Sequence, residues 1–396
     1  MPQRALRICL IMHSTRSDNL GVGALTVSEV EIIRSLASEM GRRVDITAMD
    51  WKDPRAPYVT GPDIRIVDLD GRTMLNPFGY FAAVLRSDLV IDIGAGDSFT
   101  DIYGTRRLRR MFVLKFLAHL ARTPLVVAPQ TIGPFTRPMT KFLARLSLRL
   151  SAVVATRDAM STAALRDLGV RGAVIEASDV ALRLPYDPPL PRVAGGPVQV
   201  GINVSGLLMG GGYTGKNEFG IALDYPALMR DLVRYFQGIG AQVHLVPHVI
   251  VRSGRMVGED DARASAILAA EFPGTVLAPA FDAPSQAKTY IAGLDFFMGA
   301  RMHACIAAFS SGVPVIPMAY SRKFEGLFGS IGYTRTVDCT KEDSAAIIAK
   351  IIAGFDARDA LKAEADAALA RGREKLLGYE AALGAVMEQI TRRKND

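Results

Sequence analysis

Cysteine is scarce in this 396-residue chain: Cys9, Cys305 and Cys339 lie far apart, with no CxxC pair. Such a set excludes a disulfide framework and a thiolate zinc site. Long apolar runs are missing too. The run Ile8–Met12 is too short for the core of a signal peptide, and no stretch reaches the ~18 apolar residues of a spanning helix. There is no short-period repeat and no recognised nucleic-acid-binding module. Together these absences point to a soluble protein of a reducing compartment, most simply the cytoplasm. What is present is a core-forming chain: 49% hydrophobic residues against 22% charged excludes a disordered protein, and the length fits two domains. Lys and Arg outnumber Asp and Glu by 47 to 40, a net charge of +7. That balance favours acidic small molecules, anionic lipid head groups or nucleic acid without choosing among them.

Short Val/Ile/Leu runs alternate with helical patterns almost throughout. The expected strands are Arg7–Met12, Val44–Met49, Ile64–Leu69, Leu89–Ile93, Leu125–Ala128, Ala152–Ala155 and Ala173–Glu176, then Gln199–Val204, Gln242–Val246, Thr275–Ala278, Phe296–Gly299 and Pro314–Met318. Continuous apolar runs mark strands buried on both faces, as in parallel sheets. Helices are expected at Val22–Met40, Thr105–Arg122, Arg137–Leu150, Asp158–Leu168, Tyr225–Gly240 and Asp260–Glu271. The alternation predicts an α/β protein of two Rossmann-like, doubly wound halves facing a cleft. Five prolines and Gly195-Gly196 between Leu184 and Pro197 mark a linker. The expected organisation is therefore an N-terminal domain over 1–184, a linker over 185–197, a C-terminal domain over 198–340, and helices over 341–396 that pack across. The cleft is expected to be lined by Asn19, Asp92, Ser205, His248 and Arg301, near the carboxyl ends of strands.

Candidate motifs differ in specificity. Gly21-Val-Gly23-Ala-Leu-Thr26 begins like a dinucleotide fingerprint but ends in Thr and lies nine residues past the first strand, so no tight turn could bring its amides to a pyrophosphate. Gly210–Asn217 resembles a phosphate-binding loop, but Asn217 stands where a hydroxyl should meet magnesium, and Gly220 and Pro226 interrupt any following helix; a flexible loop or lid is the better interpretation. Asp92-Ile-Gly94-Ala-Gly96-Asp97-Ser98 follows a buried strand; its carboxylates are candidates for the cleft, while Asp97 and Ser98 could equally cap a helix. His244 and His248 flank a strand end about 13 Å apart, too far for one metal. His248, after Pro247, could face the cleft, whereas His119 is expected to be structural. Arg301-Met302-His303 sits at a strand-to-helix junction. There an Arg fork could hold a carboxylate or phosphate, a His could pass a proton, and a helix start adds positive potential. Basic residues at 106, 107, 109, 110, 115, 122, 137, 141, 145 and 149 interleave with Met111, Phe112, Leu114, Phe116 and Leu117. That is a solvated helix face by default, or a surface for anionic membrane.

Asn19-Leu-Gly21, Gly94-Ala-Gly96, Pro129-Gln130-Thr-Ile-Gly-Pro134, Ser178-Asp179, Pro247-His248 and Arg301-Met-His303, followed by Gly312–Lys323, together resemble the polysaccharide pyruvyl transferase family from about residue 8 to about residue 332. The chain departs from the family pattern at Val22, where members often carry Asp, and at Ala95, where they often carry Gly. The resemblance implies a GT-B-like fold and transfer of the enolpyruvyl carbons of phosphoenolpyruvate to two hydroxyls of a sugar, making a ketal. It implies Arg301, His303, Lys323, His248 and Ser205 on the donor side, and Asn19, Gly21, Gly94, Gly96 and Gln130 on the acceptor side. His303 is the expected general acid or phosphate ligand, and Asp92 or Asp97 the expected acceptor of the hydroxyl proton. Phosphoenolpyruvate is a co-substrate, and no cofactor or metal is expected. Expected partners are a sugar or lipid-linked glycan and, peripherally, an anionic membrane at its inner face; no nucleic acid is expected. Two alternatives stay open: a glycosyltransferase using a nucleotide sugar, and an inactive relative serving as a binding subunit.

Overall fold

The structure is a computed structural model that describes residues 4–102, 104–172, 174–189, 195–252 and 257–395. Residues 190–194 of the expected linker lie outside them. The chain divides into two compact units. Unit 1 comprises Met1–Ser17, Leu25–Arg183 and Gly372–Asp396; unit 2 comprises Asp18–Ala24 and Leu184–Arg371.

Unit 1 carries seven strands: β1 (Leu6–Ile11), β2 (Val44–Asp50), β3 (Ile64–Asp68), β4 (Leu89–Asp92), β5 (Leu125–Gln130), β6 (Val153–Thr156) and β7 (Val174–Glu176). All pair in parallel, in the order β3-β2-β1-β4-β5-β6-β7. Unit 2 carries β8 (Gln199–Asn203), β9 (Gln242–Leu245), β10 (Val276–Leu277), β11 (Phe296–Gly299), β12 (Val315–Ala319) and β13 (Val337–Asp338). These are also parallel, in the order β10-β9-β8-β11-β12-β13. In both sheets the direction of winding reverses beside the first strand, between β1 and β4 and between β8 and β11. This is the Rossmann-type doubly wound topology, whose ligand crevice lies outside the carboxyl ends of the strands at that reversal. The central strands are covered on both faces: β4, β5, β6, β11 and β12 are buried along their whole length.

The expected strands and helices are present with ends shifted by a few residues. β13 is new: two residues make no apolar run. Pro284–Ala292 is a helix with Pro at its first turn, and the segment Gly71–Leu85 is a broken chain of three short helical pieces. Asn76 and Pro77 separate the first two, as residues that end and restart helices do. The C-terminal helices are Ser344–Asp356 and Arg358–Asn395; the latter starts in unit 2 and finishes in unit 1. Cys9, Cys305 and Cys339 are buried free thiols.

One expectation about the apolar residues of Thr105–Leu120 is corrected. Met111, Phe112 and Leu114 face the core, where Phe99 meets Phe112 edge to face at 5.8 Å between ring centres, while Phe116 and Leu117 are half-buried. They do not form an exposed apolar face between the arginines.

Candidate active site

The winding reversal of unit 2 gathers charged side chains around Asp261. This residue opens the helix Asp261–Glu271 and is fully buried. Asp260 caps that helix by accepting from the Ala262 amide, which leaves the Asp261 carboxylate for other work. It accepts from the amides of Gly206 at 2.9 Å, His248 at 3.2 Å and Val249 at 3.0 Å, and from the Asn203 Nδ2 at 3.3 Å. It also takes the Arg301 fork, Nε at 3.1 Å and Nη2 at 2.9 Å. One carboxylate thus ties together the carboxyl ends of β8, β9 and β11. Arg301 is buried and its Nη2 also donates to the Glu259 carbonyl at 2.8 Å. Burial disfavours its charge, but Asp261, Tyr320 and Glu259 outweigh that and hold its pKa above the ordinary value. The fork expected to clamp a substrate is therefore largely engaged by the protein's own carboxylate.

Arg301 is the N-cap of the helix Met302–Ser310, and its amide donates to Asn203 Oδ1 at 2.8 Å. His303 lies in the first turn, half-buried. Its ring packs on Gly21: a Cβ there would stand 2.7 Å from the ring Cγ, so no residue larger than glycine fits without moving the imidazole. Gly21 belongs to the first turn of Leu20–Glu39, with its amide held by Asn19 Oδ1 at 2.9 Å. Leu20 donates to the His248 carbonyl at 3.1 Å, and Asn19 bridges Val249. Asn19 and Gly21, expected on the acceptor side by their place early in the chain, pack in unit 2 against the expected donor residues. His248 is buried, and that burial, with His303 and Arg301 nearby, lowers its pKa to about 3. It stays neutral at physiological pH and is suited to accepting a hydrogen bond rather than to serving as a cationic acid. Ser205 is buried, caps a short helix by accepting from the Leu208 amide, and donates its own amide to the Tyr225 hydroxyl at 3.1 Å. Lys323 is half-buried. Tyr213, on the glycine-rich loop, lies within electrostatic reach of Lys323, Arg301, Glu259 and Tyr320. Phe219 stacks between Tyr213 and Tyr320, with ring centres at 5.6 and 5.1 Å. The Gly210–Asn217 segment is a loop in the structure, with Gly211, Gly212, Gly215 and Asn217 all at positive φ. His244 turns the other way and bonds Tyr290 and Gln199.

The reversal of unit 1 is built differently. Gly94 (φ +56) and Gly96 (φ +85) form a tight turn after β4, with Ala95 between them also left-handed at φ +47. A Cβ on Gly94 would overlap Gln130 Oε1, so glycine is required there by contact as well as by conformation. Asp92, expected to take up a hydroxyl proton, is fully buried and ion-paired with Lys115, which itself sits 4.6 Å from the Phe99 ring centre. Gln130 Nε2 donates to the Asp92 carbonyl at 2.9 Å. Asp97 is half-buried. Neither it nor Ser98 caps the next helix, which starts at Thr105 behind Gly104. Arg157 is buried between Asp179 at 3.0 Å and the Thr131 hydroxyl at 2.9 Å. Directly after β1, His13 is buried with neither ring nitrogen hydrogen-bonded, and burial lowers its pKa to about 3.

Asp261 and His13 escaped the sequence analysis. The doubled Asp260-Asp261 was a usable signal, because one carboxylate suffices to cap a helix. A lone His at a strand end carries no such signal.

The fold is of the GT-B kind, with two Rossmann-like domains. Solved structures with this fold include a putative UDP-N-acetylglucosamine 2-epimerase from Listeria monocytogenes (TM-score 0.58, 11% identity, 92% of this chain and 91% of that one). They also include the UDP-GlcNAc 2-epimerase from Neisseria meningitidis (0.58, 10%, 96% and 99%) and an α,α-trehalose-phosphate synthase from Burkholderia vietnamiensis (0.53, 11%, 100% and 99%). At these identities the likeness is one of fold alone. No curated protein sequence matches the chain significantly. The sequence profile of the polysaccharide pyruvyl transferase family matches residues 23–322, well over half of the chain, and the chain belongs to that family.

Proposed function

We propose that the protein moves a pyruvyl group from phosphoenolpyruvate to two hydroxyls of a sugar or glycan, forming a ketal and releasing phosphate. Family membership supports the reaction class, and the observation that carries the donor site is the placement of His303. A titratable ring stands in the first turn of a helix, against a glycine that makes room for it and beside a buried arginine. A helix start and nearby cations favour a ligand bearing a carboxylate and a phosphate. In the proposed sequence His303 delivers a proton to the methylene carbon of the donor. The central carbon becomes cationic and bonds an acceptor hydroxyl oxygen, whose proton passes to a base. The bond from that carbon to the phosphate oxygen then breaks, phosphate leaves, and the second hydroxyl closes the ring with loss of its proton. Lys323 and the remaining edge of Arg301 hold the anionic groups. Gly94, Gly96 and Gln130 are assigned to the acceptor, with Asp97 as base in place of the ion-paired Asp92. His248, neutral, accepts a hydrogen bond in the donor site.

Thermal-shift titration tests this. Phosphoenolpyruvate at 100 times its dissociation constant should stabilise the protein by about 2.7 kcal/mol, and UDP- and GDP-sugars should not. Stabilisation by a nucleotide sugar instead would make the protein a glycosyltransferase; stabilisation by none would leave the binding-subunit alternative. With phosphoenolpyruvate bound, His303→Gln should lower turnover about 10²–10⁴-fold with donor affinity nearly intact. Lost affinity with unchanged chemistry would make His303 a phosphate ligand.

A further inference from the structure

The helix Pro138–Arg149 of unit 1 turns an apolar stripe to solvent. Met139 is 66% exposed, Phe142 60%, Leu146 38% and Leu150, one residue past its end, 53%. Spacings of three, four and four residues put these side chains on one line along the helix. The opposite side, Thr140, Ala144, Ser147 and Leu148, is buried against the unit. Lys141, Arg145 and Arg149 are exposed in a second row beside the stripe. The neighbouring helix Thr105–Leu120 is tied to the stripe's helix at both ends, and each tie has an exposed apolar residue next to it in the chain. At the amino end, Asp101, next to the exposed Ile102, binds the helix start through the Thr136 amide (2.8 Å) and the Thr140 hydroxyl (2.6 Å). At the carboxyl end, His119, next to the exposed Leu120, bonds the Ser147 carbonyl at 3.0 Å.

Along the segment that carries this stripe the charge is of one sign. From Ile102 to Arg157 the chain holds eleven Lys and Arg residues and no Asp or Glu. Two of the eleven, Lys115 and Arg157, are buried in ion pairs. Among the described residues, Arg106, Arg107, Arg109, Lys141 and Arg145 make no ion pair, and all five are exposed. A protein-facing apolar surface is normally rimmed by polar residues of mixed sign. An apolar line bordered by unpaired cations, with no carboxylate within the segment, fits a surface that is apolar inside and anionic outside.

We propose that this face docks on an anionic lipid bilayer, with Met139, Phe142, Leu146 and Leu150 entering the acyl boundary and Lys141, Arg145 and the arginines of Thr105–Leu120 meeting the head groups. The docking is independent of the proposed chemistry, and its test needs no substrate. Full-length protein is floated with phosphatidylcholine vesicles, with and without phosphatidylglycerol. Binding should require phosphatidylglycerol and weaken as salt rises. Phe142→Ser with Leu146→Ser should reduce the vesicle partition coefficient about tenfold or more, because two large apolar side chains no longer leave water. Lys141→Glu with Arg145→Glu should reduce it comparably at low salt. Both variants should keep the wild-type circular dichroism spectrum, since all four side chains are exposed. Absence of binding to anionic vesicles overturns the proposal. So does binding that the serine variant leaves unchanged, which would be surface charge alone. A dimer by light scattering that the serine variant dissociates, without vesicle binding, also overturns it, because a second copy would then cover the stripe.

Discussion

The two winding reversals have the same topology and different arrangements of charge. In unit 2, between β8 and β11, five residues converge on the buried carboxylate of Asp261, the cationic fork of Arg301 among them. In unit 1, between β1 and β4, the charges are closed off in pairs, Asp92 with Lys115 and Arg157 with Asp179. Several neutral polar atoms at that end are buried without a hydrogen-bond partner: both nitrogens of His13, Ser98 Oγ, Gln130 Oε1 and Ser178 Oγ. A buried polar atom without a partner costs about 1–3 kcal/mol, so such atoms gather where water or a ligand completes them. Two sheets wound alike thus differ in the residues at their strand ends, one tied around a buried carboxylate and the other closed by ion pairs with neutral polar atoms beside them.

Breaking the buried ion pairs tests the contrast most strongly. Arg301→Ala and Lys115→Ala should each destabilise by about 3–5 kcal/mol in denaturant melts, because each leaves a carboxylate buried and unpaired. The double replacements should separate the two sites. Asp92→Leu with Lys115→Met should recover more of the loss, since beyond each other that pair makes, among the described residues, only two long hydrogen bonds, from the Gly94 amide and Gln130 Nε2, both at 3.3 Å. Asp261→Leu with Arg301→Met should not, because three backbone amides and Asn203 would lose their acceptor as well. Equal recovery in both would mean that Asp261 is no hub.

A smaller effect concerns pH. His13 and His248 both have folded pKa values of about 3 against an ordinary 6.5. Above pH 6.5 both are neutral, folded or unfolded, and contribute no pH dependence. Below it the unfolded chain takes up protons that the folded chain does not, so stability falls as pH drops from about 6.5 toward 3, by up to about 1.4 kcal/mol per pH unit for each group. His13→Gln and His248→Gln should each make that decline shallower. The His13 shift comes from burial alone, whereas His303 and Arg301 add to that of His248. His303→Gln should therefore raise the His248 titration followed by NMR and leave that of His13 in place. The smallest effect lies at Ala95. Its φ of +47 is a left-handed conformation that glycine adopts without strain, so Ala95→Gly should stabilise unit 1 by about 0.5–1 kcal/mol in a thermal melt. Destabilisation there would mean that the Ala95 methyl group is packed rather than strained.

The scaffold was legible because parallel strands buried on both faces must be continuous Val/Ile/Leu runs, and nearly all of them were recognised as such. Arg301 and His303 were legible because a strand-to-helix junction is visible in the pattern. What escaped depends on contacts distant in the chain. Asn19 and Gly21 lie in the first helix by sequence but pack on His248 and His303, and nothing in their neighbourhood announces that. Asp92 looked available because the partner that closes it off, Lys115, is 23 residues away on the next helix. The sequence shows only that apolar residues interleave with the arginines; the structure sends Met111, Phe112 and Leu114 inward and exposes Phe142 and Leu146 on the following helix. Amphipathic pattern fixes that a helix has two faces, but only packing decides which one is covered.

The helix Arg358–Asn395 sets the order in which the protein can be completed during synthesis. Unit 1 begins first, yet its core includes Leu376, Tyr379, Leu383 and Met387 near the other end of the chain, with Tyr379 bonded to Glu29 and Glu380 paired to Arg183. Unit 2 needs only the short early segment Asp18–Ala24 in addition to its own stretch. A ribosome therefore releases every part of unit 2 before it releases the last part of unit 1. The first half to emerge is the last to close, and a premature stop after Arg371 would leave unit 2 entire and unit 1 with an open apolar wall.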